Sequence, residues 1–215
     1  AFIDCILEIS FAHDHVLYSM DNETNAHPEW GKYWAGYLKM KAKEMGKRIY
    51  VTEMWYNWDP TGGSVPGIND IQFNDPHPFL GRSTPLNTID HPRVYDFIDI
   101  SNNNGQSGQV HYETGLWVRN HILEKDMVRP INNVKIYGGP GGIWNGDDRE
   151  GKERFWRNLF AGHAAARFHR PPSGNGISQA ARYQIKCARM ITEKVDFFSM
   201  VPSNYRLGDR GTNEA

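Results

Sequence analysis

The sequence predicts an α/β chain that holds more than half of a (β/α)8 barrel. Three observations lead there. Short apolar runs rich in β-branched and aromatic residues alternate with longer stretches of helical period, which is the pattern of successive βα units in a parallel sheet. Polar residues crowd the C-terminal ends of those runs, where barrel enzymes carry their functional side chains. The rival, an open doubly wound sheet, lacks support because no strand end carries the G-x-G-x-x-G turn that leads into a dinucleotide-binding helix.

The elements follow in order. Phe2 to His13 reads as a helix with Phe2, Cys5, Ile6 and Ile9 on one face, and Val16 to Met20 as a strand. A second helix starts near Pro28, a residue favoured at the first helical position, runs through Trp30, Trp34, Tyr37, Leu38, Lys41 and Met45, and stops at Gly46. Arg48 to Thr52 (RIYVT) is the next strand. The Gly/Pro/Asn-rich stretch from Tyr56 to about Asp90 is too long for a simple connection and reads as an active-site loop or a mobile segment. Asp90-His91-Pro92 suits a cap and first turn of a short helix, ahead of the strand Phe97 to Ser101 (FIDIS). A helix from Tyr112 to Glu124, with Leu116, Ile122 and Leu123 as its buried face, precedes the strand Val134 to Tyr137 (VKIY). The glycine-dense turn Gly138 to Gly142 contains Pro and has no phosphate-loop spacing, so it reads as a βα loop. A helix over Arg149 to Gly162, a weaker strand over Ala164 to His169 and a periodic helix over Ile177 to Val195, through Ala181, Ile185, Ala188 and Thr192, complete the series.

Composition narrows the function. The 24 Lys+Arg nearly balance the 25 Asp+Glu, for a formal net charge of -1, whereas a nucleic-acid binder needs a basic surplus. A mean hydropathy of -0.64 and the lack of any long apolar window argue against a membrane-spanning chain. The expected partner is therefore neither nucleic acid nor membrane. Cys5 and Cys187 stand far apart, outside any zinc or disulfide pattern. Among the histidines no HExxH or paired spacing occurs, so no metal and no cofactor is expected. The chain opens on Ala1 without a basic leader and ends without a closing element, which reads as a piece of a longer protein.

Candidate site residues come from the strand ends. The first strand runs into Asp21-Asn22-Glu23-Thr24-Asn25, the second into Glu53-Met54-Trp55-Tyr56-Asn57-Trp58-Asp59, the third into Asn102-Asn103-Asn104, and the last into His169-Arg170. A carboxylate beside an amide suits sugar chemistry: the acid can protonate a leaving glycosidic oxygen while the amide binds a neighbouring hydroxyl. Asn22-Glu23 is that pair, although Asp, Asn and Thr ahead of Pro28 could also serve as helix caps. Glu53 is the candidate second carboxylate, and its alternative is a buried acid paired with an arginine such as Arg170. A separation of about 6.5–9.5 Å between Glu23 and Glu53 would suit an inverting mechanism, and about 5–5.5 Å a retaining one. Trp55, Tyr56 and Trp58 could stack on a sugar ring or fold back over the rim, and Trp144 is a weaker candidate of the same kind. Asp21, Asn22, Asn103, Asn104, His169 and Arg170 complete the expected substrate-binding set, with His111 also expected near the mouth. A metal-dependent alternative using Asp21, Glu23, His169 and Asp147 lacks ligand spacing.

The segment VLYSMDNETN resembles the retaining (β/α)8 glycoside hydrolases grouped as clan A, in which an Asn-Glu dipeptide closes the fourth strand and its Glu is the acid/base. With RIYVTEMW and FWRNLFAGHAAARFHRPPSG, the chain more loosely resembles uncharacterised secreted bacterial proteins related to apiosidase-like hydrolases. The resemblance implies strands four to eight of a barrel truncated at both ends, over residues 1–198, with 199–215 a linker or the start of a β-rich domain. It also implies a secreted or periplasmic glycosidase with a carbohydrate substrate. One departure stands out, since VKIY would be the seventh strand, where that clan has its nucleophile Glu, and GGPGGIWNGDD follows instead. A non-catalytic carbohydrate-binding barrel that lacks the second carboxylate is the alternative function.

Overall fold

The structure, a computed structural model, describes residues 2–60, 84–137, 147–169 and 177–207. Among them, helices α1 (Phe2–Ser10), α2 (Pro28–Glu44), α3 (Leu86–Ile89), α4 (Gly108–Glu124), α5 (Asp148–Phe160) and α6 (Gln179–Thr192) alternate with strands β1 (Leu17–Ser19), β2 (Tyr50–Thr52), β3 (Ile98–Asp99), β4 (Ile131–Ile136) and β5 (Ala165–Phe168). Helix ends follow local chemistry. Pro28 opens α2, Ser107 and Ser178 cap α4 and α6, and Asp147 forms a reciprocal capping box with Glu150 at the start of α5. Asp147 is therefore a helix cap.

The strands are all parallel and lie in chain order, but they do not form a barrel. Among the described residues β1 pairs with β2, and β3, β4 and β5 make a separate sheet, so the expected strands four to eight of a (β/α)8 barrel are corrected to two small parallel sheets. The break between β2 and β3 has a visible cause. Asp96 donates its backbone N–H to Val51 O at 2.8 Å, yet its carboxylate, and no strand carbonyl, receives Val51 N–H at 2.9 Å. Thr52 then uses its hydroxyl to reach Phe97 O at 2.8 Å. Side chains thus bridge the gap where a ladder would need main-chain pairs, and a closed barrel requires that ladder to be continuous.

Each sheet buries one face under helices. Tyr18 and Val51 pack with Leu7, Phe11, Ala35 and Leu38, whereas Leu17 and Tyr50, at alternate positions, are exposed. Ile98, Ile100 and Ile131 meet Val118 and Ile122 of α4, and Ile136 and Phe168 meet Phe155 and Ala181. Two expected helix faces are turned. In α1 the buried residue is Leu7, with Ile3 beside it, while Phe2 and Ile9 are exposed; in α4, Leu123 is exposed. The helix near Asp90 precedes it: Asp90 is the C-cap of α3, and Arg129 donates to Thr88 O and Ile89 O at the end of that helix. The turn Gly138–Gly142 and most of the long loop after Tyr56 lie outside the described residues.

Candidate functional site

At the end of β1 the backbone turns sharply at Glu23. Asn22 N–H is held by the Asp21 carboxylate at 2.7 Å, and Thr24 rejoins the neighbouring strand end, donating to Met54 O and accepting from Tyr56 N–H, each at 2.9 Å. Between them Glu23 adopts a left-handed conformation, φ 56, which costs energy for any residue with a Cβ. Its carboxylate is ion-paired with the ammonium of Lys135 in β4. Lys135 is only 7% exposed, and an irregularity in the β4–β5 register between Asn133 and Ile136 sets its orientation. Asn133 and Ile136 both point to the helices, which leaves Lys135 on the opposite face with Asn132 and Asp99.

Asp99 is buried there. It accepts Ser101 N–H at 2.8 Å and the Asn132 amide at 3.3 Å, and burial raises its pKa while the charges of Lys135 and Arg167 oppose that rise. Two strand ends and one mid-strand lysine thus bring Glu23, Lys135 and Asp99 into electrostatic contact. Asp99 and Lys135 were not singled out from the sequence. The available signal was a charged residue at an otherwise apolar strand position, as in VKIY, which requires a partner when buried.

Glu53 is placed differently. It is 1% exposed, its carboxyl accepts a hydrogen bond from Tyr95 OH at 2.5 Å, and it lies against Gly31 of α2 so closely that a Cβ at that glycine would sit 2.2 Å from either oxygen. Tyr95, and no described arginine, is the partner; Arg170 lies outside the described residues. Burial pushes the Glu53 carboxyl up to about 7, with the nearby Asp21 charge adding to the shift and the Tyr95 hydrogen bond opposing it. A carboxyl whose pKa is raised on folding stabilises the fold fully below its unfolded value near 4.5 and loses that contribution as pH rises through about 7. Glu53→Gln, which keeps the acceptor for Tyr95, is therefore expected to be more stable than the wild type at pH 8, by an amount on the order of 3 kcal/mol. At pH 4 the difference should nearly vanish in urea melts; an equal effect at both pH values would show that ionisation is not the cause.

The aromatic residues after Glu53 are mostly interior. Trp55 is 2% exposed and donates its indole N–H to Thr88 Oγ1 at 2.9 Å, and Trp58 is buried against Val110, so neither offers a ring face to a sugar. Tyr56 is half-buried and its carbonyl accepts from the Asn102 amide. Asn103 also points inward, accepting from Asn133 at 2.9 Å within a cluster that includes His111 and Asn158. His111 is thus an interior residue, away from any mouth. Asn104 is half-buried at the end of the turn Ser101–Asn103, and His169 is half-buried with its ring edge-on to Tyr137 at 4.8 Å. Asp21, Asn22 and Glu23 therefore stay together at an accessible strand end, while Glu53, Trp55, Trp58 and Asn103 belong to the packing behind it. Trp144 lies outside the described residues.

Among the described residues no group of three His, Cys, Asp or Glu side chains is arranged to hold a metal ion, and no helix is long and apolar enough to cross a membrane. No protein-family model matches the chain, and neither a curated protein nor a solved structure matches it.

Proposed function

We propose that this chain is a carbohydrate-active hydrolase, secreted or periplasmic, with Glu23 as its general acid/base. The observation that carries the reading is the Glu23 backbone: a non-glycine residue at φ 56, at the C-terminal end of a parallel strand, with its side chain 37% exposed and ion-paired to a buried lysine. Backbone strain of this kind persists where the surroundings over-determine it, and it concentrates at functional sites. The adjacent Asn22 amide is exposed and free to meet a sugar hydroxyl, and the Asn-Glu pair is the feature shared with the clan A glycosidases. In the reaction Glu23, protonated when substrate binds, would give its proton to the glycosidic oxygen as the bond from that oxygen to the anomeric carbon breaks; as the carboxylate, the form that pairs with Lys135, it would then take a proton from the water whose oxygen forms the new bond to that carbon. Asp21 adjoins this pair in the chain, and its charge reaches the buried Glu53 carboxyl.

A second reading, a non-catalytic glycan-binding module, is favoured by one observation: the carboxyl expected to act with Glu23 is sealed against Gly31 and Tyr95. The two readings separate on a panel of plant and bacterial polysaccharides and aryl glycosides. Release of reducing ends, with loss of activity on substitution of Glu23, supports the hydrolase. Saturable binding in calorimetry with no release supports the binding module.

A further inference from the structure

We propose that Lys135 is a positioning residue for Glu23, holding its carboxylate in one orientation at the end of β1. This rests on the hydrolase reading and adds a residue to the same site. Three observations converge on it. Lys135 sits in a strand whose other residues are buried or half-buried, and it reaches the Glu23 side only because the ladder is irregular between Asn133 and Ile136. A regular strand would place residues 131, 133 and 135 on one face, which would drive the ammonium in among the apolar helix contacts of Ile131.

An ammonium this buried needs compensating charge. Glu23 supplies a direct ion pair, and the Asp99 carboxyl of β3 lies close enough to feel the Lys135 charge. The left-handed backbone fixes where the Glu23 side chain leaves the main chain, and the lysine fixes where it ends. Neither constraint alone would define the carboxylate. Together they tie the end of β1 to β4, although among the described residues no strand pairing joins the two sheets. Such a tie is what a group that must meet a scissile oxygen at hydrogen-bond distance requires.

The test uses the full chain and its best substrate from the glycan panel, at a temperature where every variant is folded by circular dichroism. Lys135→Met should lower kcat by about tenfold or more, since small misplacements of a catalytic group are costly. KM should stay within about twofold, because the substrate does not touch the lysine. Lys135→Arg, which keeps the charge, should restore most of the lost kcat. Independently of activity, the lysine ammonium resonance in ¹⁵N NMR should show a signal protected from exchange in the wild type that disappears in Glu23→Gln. Wild-type kcat in Lys135→Met, or a loss confined to KM that arginine does not recover, would overturn the positioning role. A wild-type chain with no turnover overturns the hydrolase reading and this inference with it, and the ammonium signal then still reports whether the ion pair forms.

Discussion

Replacing Glu23 by Gln is expected to lower the turnover of a natural glycan by about 10²-fold or more, the contribution typical of a positioned general acid. The substitution keeps shape and volume but removes the transferable proton. A natural aglycone is a poor leaving group and needs that proton as its C–O bond breaks, whereas an activated aryl glycoside leaves without it. The loss should therefore be large on the polysaccharide and small on the first step of the aryl substrate. If the mechanism retains configuration, the second step slows in turn, because no base activates the incoming water, and azide should restore turnover by attacking directly. Lys135 loses its direct counter-ion in this variant, so the kinetics are to be read alongside a thermal melt. Natural-glycan hydrolysis at the wild-type rate would remove Glu23 from the chemistry and leave its strained backbone as a turn.

Acidification is expected to unfold the chain through two buried histidines. His111 and His163 are 0% and 2% exposed, and burial lowers both to about 3, with the Arg154 guanidinium and the neighbouring histidine adding to the shift at His111. Neither nitrogen of His163 has a hydrogen-bond partner among the described residues, and its ring fits because position 115 is glycine, where a Cβ would come within 2.5 Å of Nε2. The sign follows from proton linkage. The unfolded chain binds these protons from about pH 6.5 downward and the folded chain does not, so stability is complete above 6.5 and declines as pH falls toward 3. Each histidine contributes about 1.4 kcal/mol per pH unit, so moving from pH 7 to 5 should cost the fold on the order of 4 kcal/mol through the two histidines, about half of which the protonation of Glu53 offsets, so the slope is read in the Glu53→Gln background. His163→Leu should flatten that slope by about half. Urea midpoints measured from pH 7 to 5 decide it, and a slope unchanged by the substitution would place the acid sensitivity elsewhere.

The legible and illegible parts of the fold divide by range. Pro28 and Gly46 mark the ends of α2 through contacts within a few residues and were readable, whereas the caps Ser107, Asp147 and Ser178 show only in the structure, and α4 starts at Gly108, four residues before the expected Tyr112. The existence of the strands and their parallel pairing within each sheet were readable for a similar reason, because a βα unit leaves its strands side by side with little choice of hand, although β4 begins at Ile131, three residues before the expected VKIY. Sheet closure was not. It turned on Asp96 giving its carboxylate to Val51 N–H in place of a carbonyl, and no periodicity reports which atom of a residue will bond 45 positions away. The faces of α1 failed similarly: Phe2, Ile6 and Leu7 are all apolar, and only the packing of Leu7 with Tyr18 and Val51 selects the buried one.

Sequence alone determined that Asp21, Asn22 and Glu23 stand at a strand end, since strand period and turn chemistry are local. It also determined that Glu53 follows a buried strand, although not where its carboxyl goes. Tertiary structure alone decided that Glu53 is sealed by Gly31 and Tyr95, that Trp55 and Trp58 are core, and that Lys135 meets Glu23 across 112 residues. The physical reason is that burial and charge pairing are properties of the space between elements. A side chain's chemistry can be read from its identity, but its partner and its exposure exist only once the chain has closed that space.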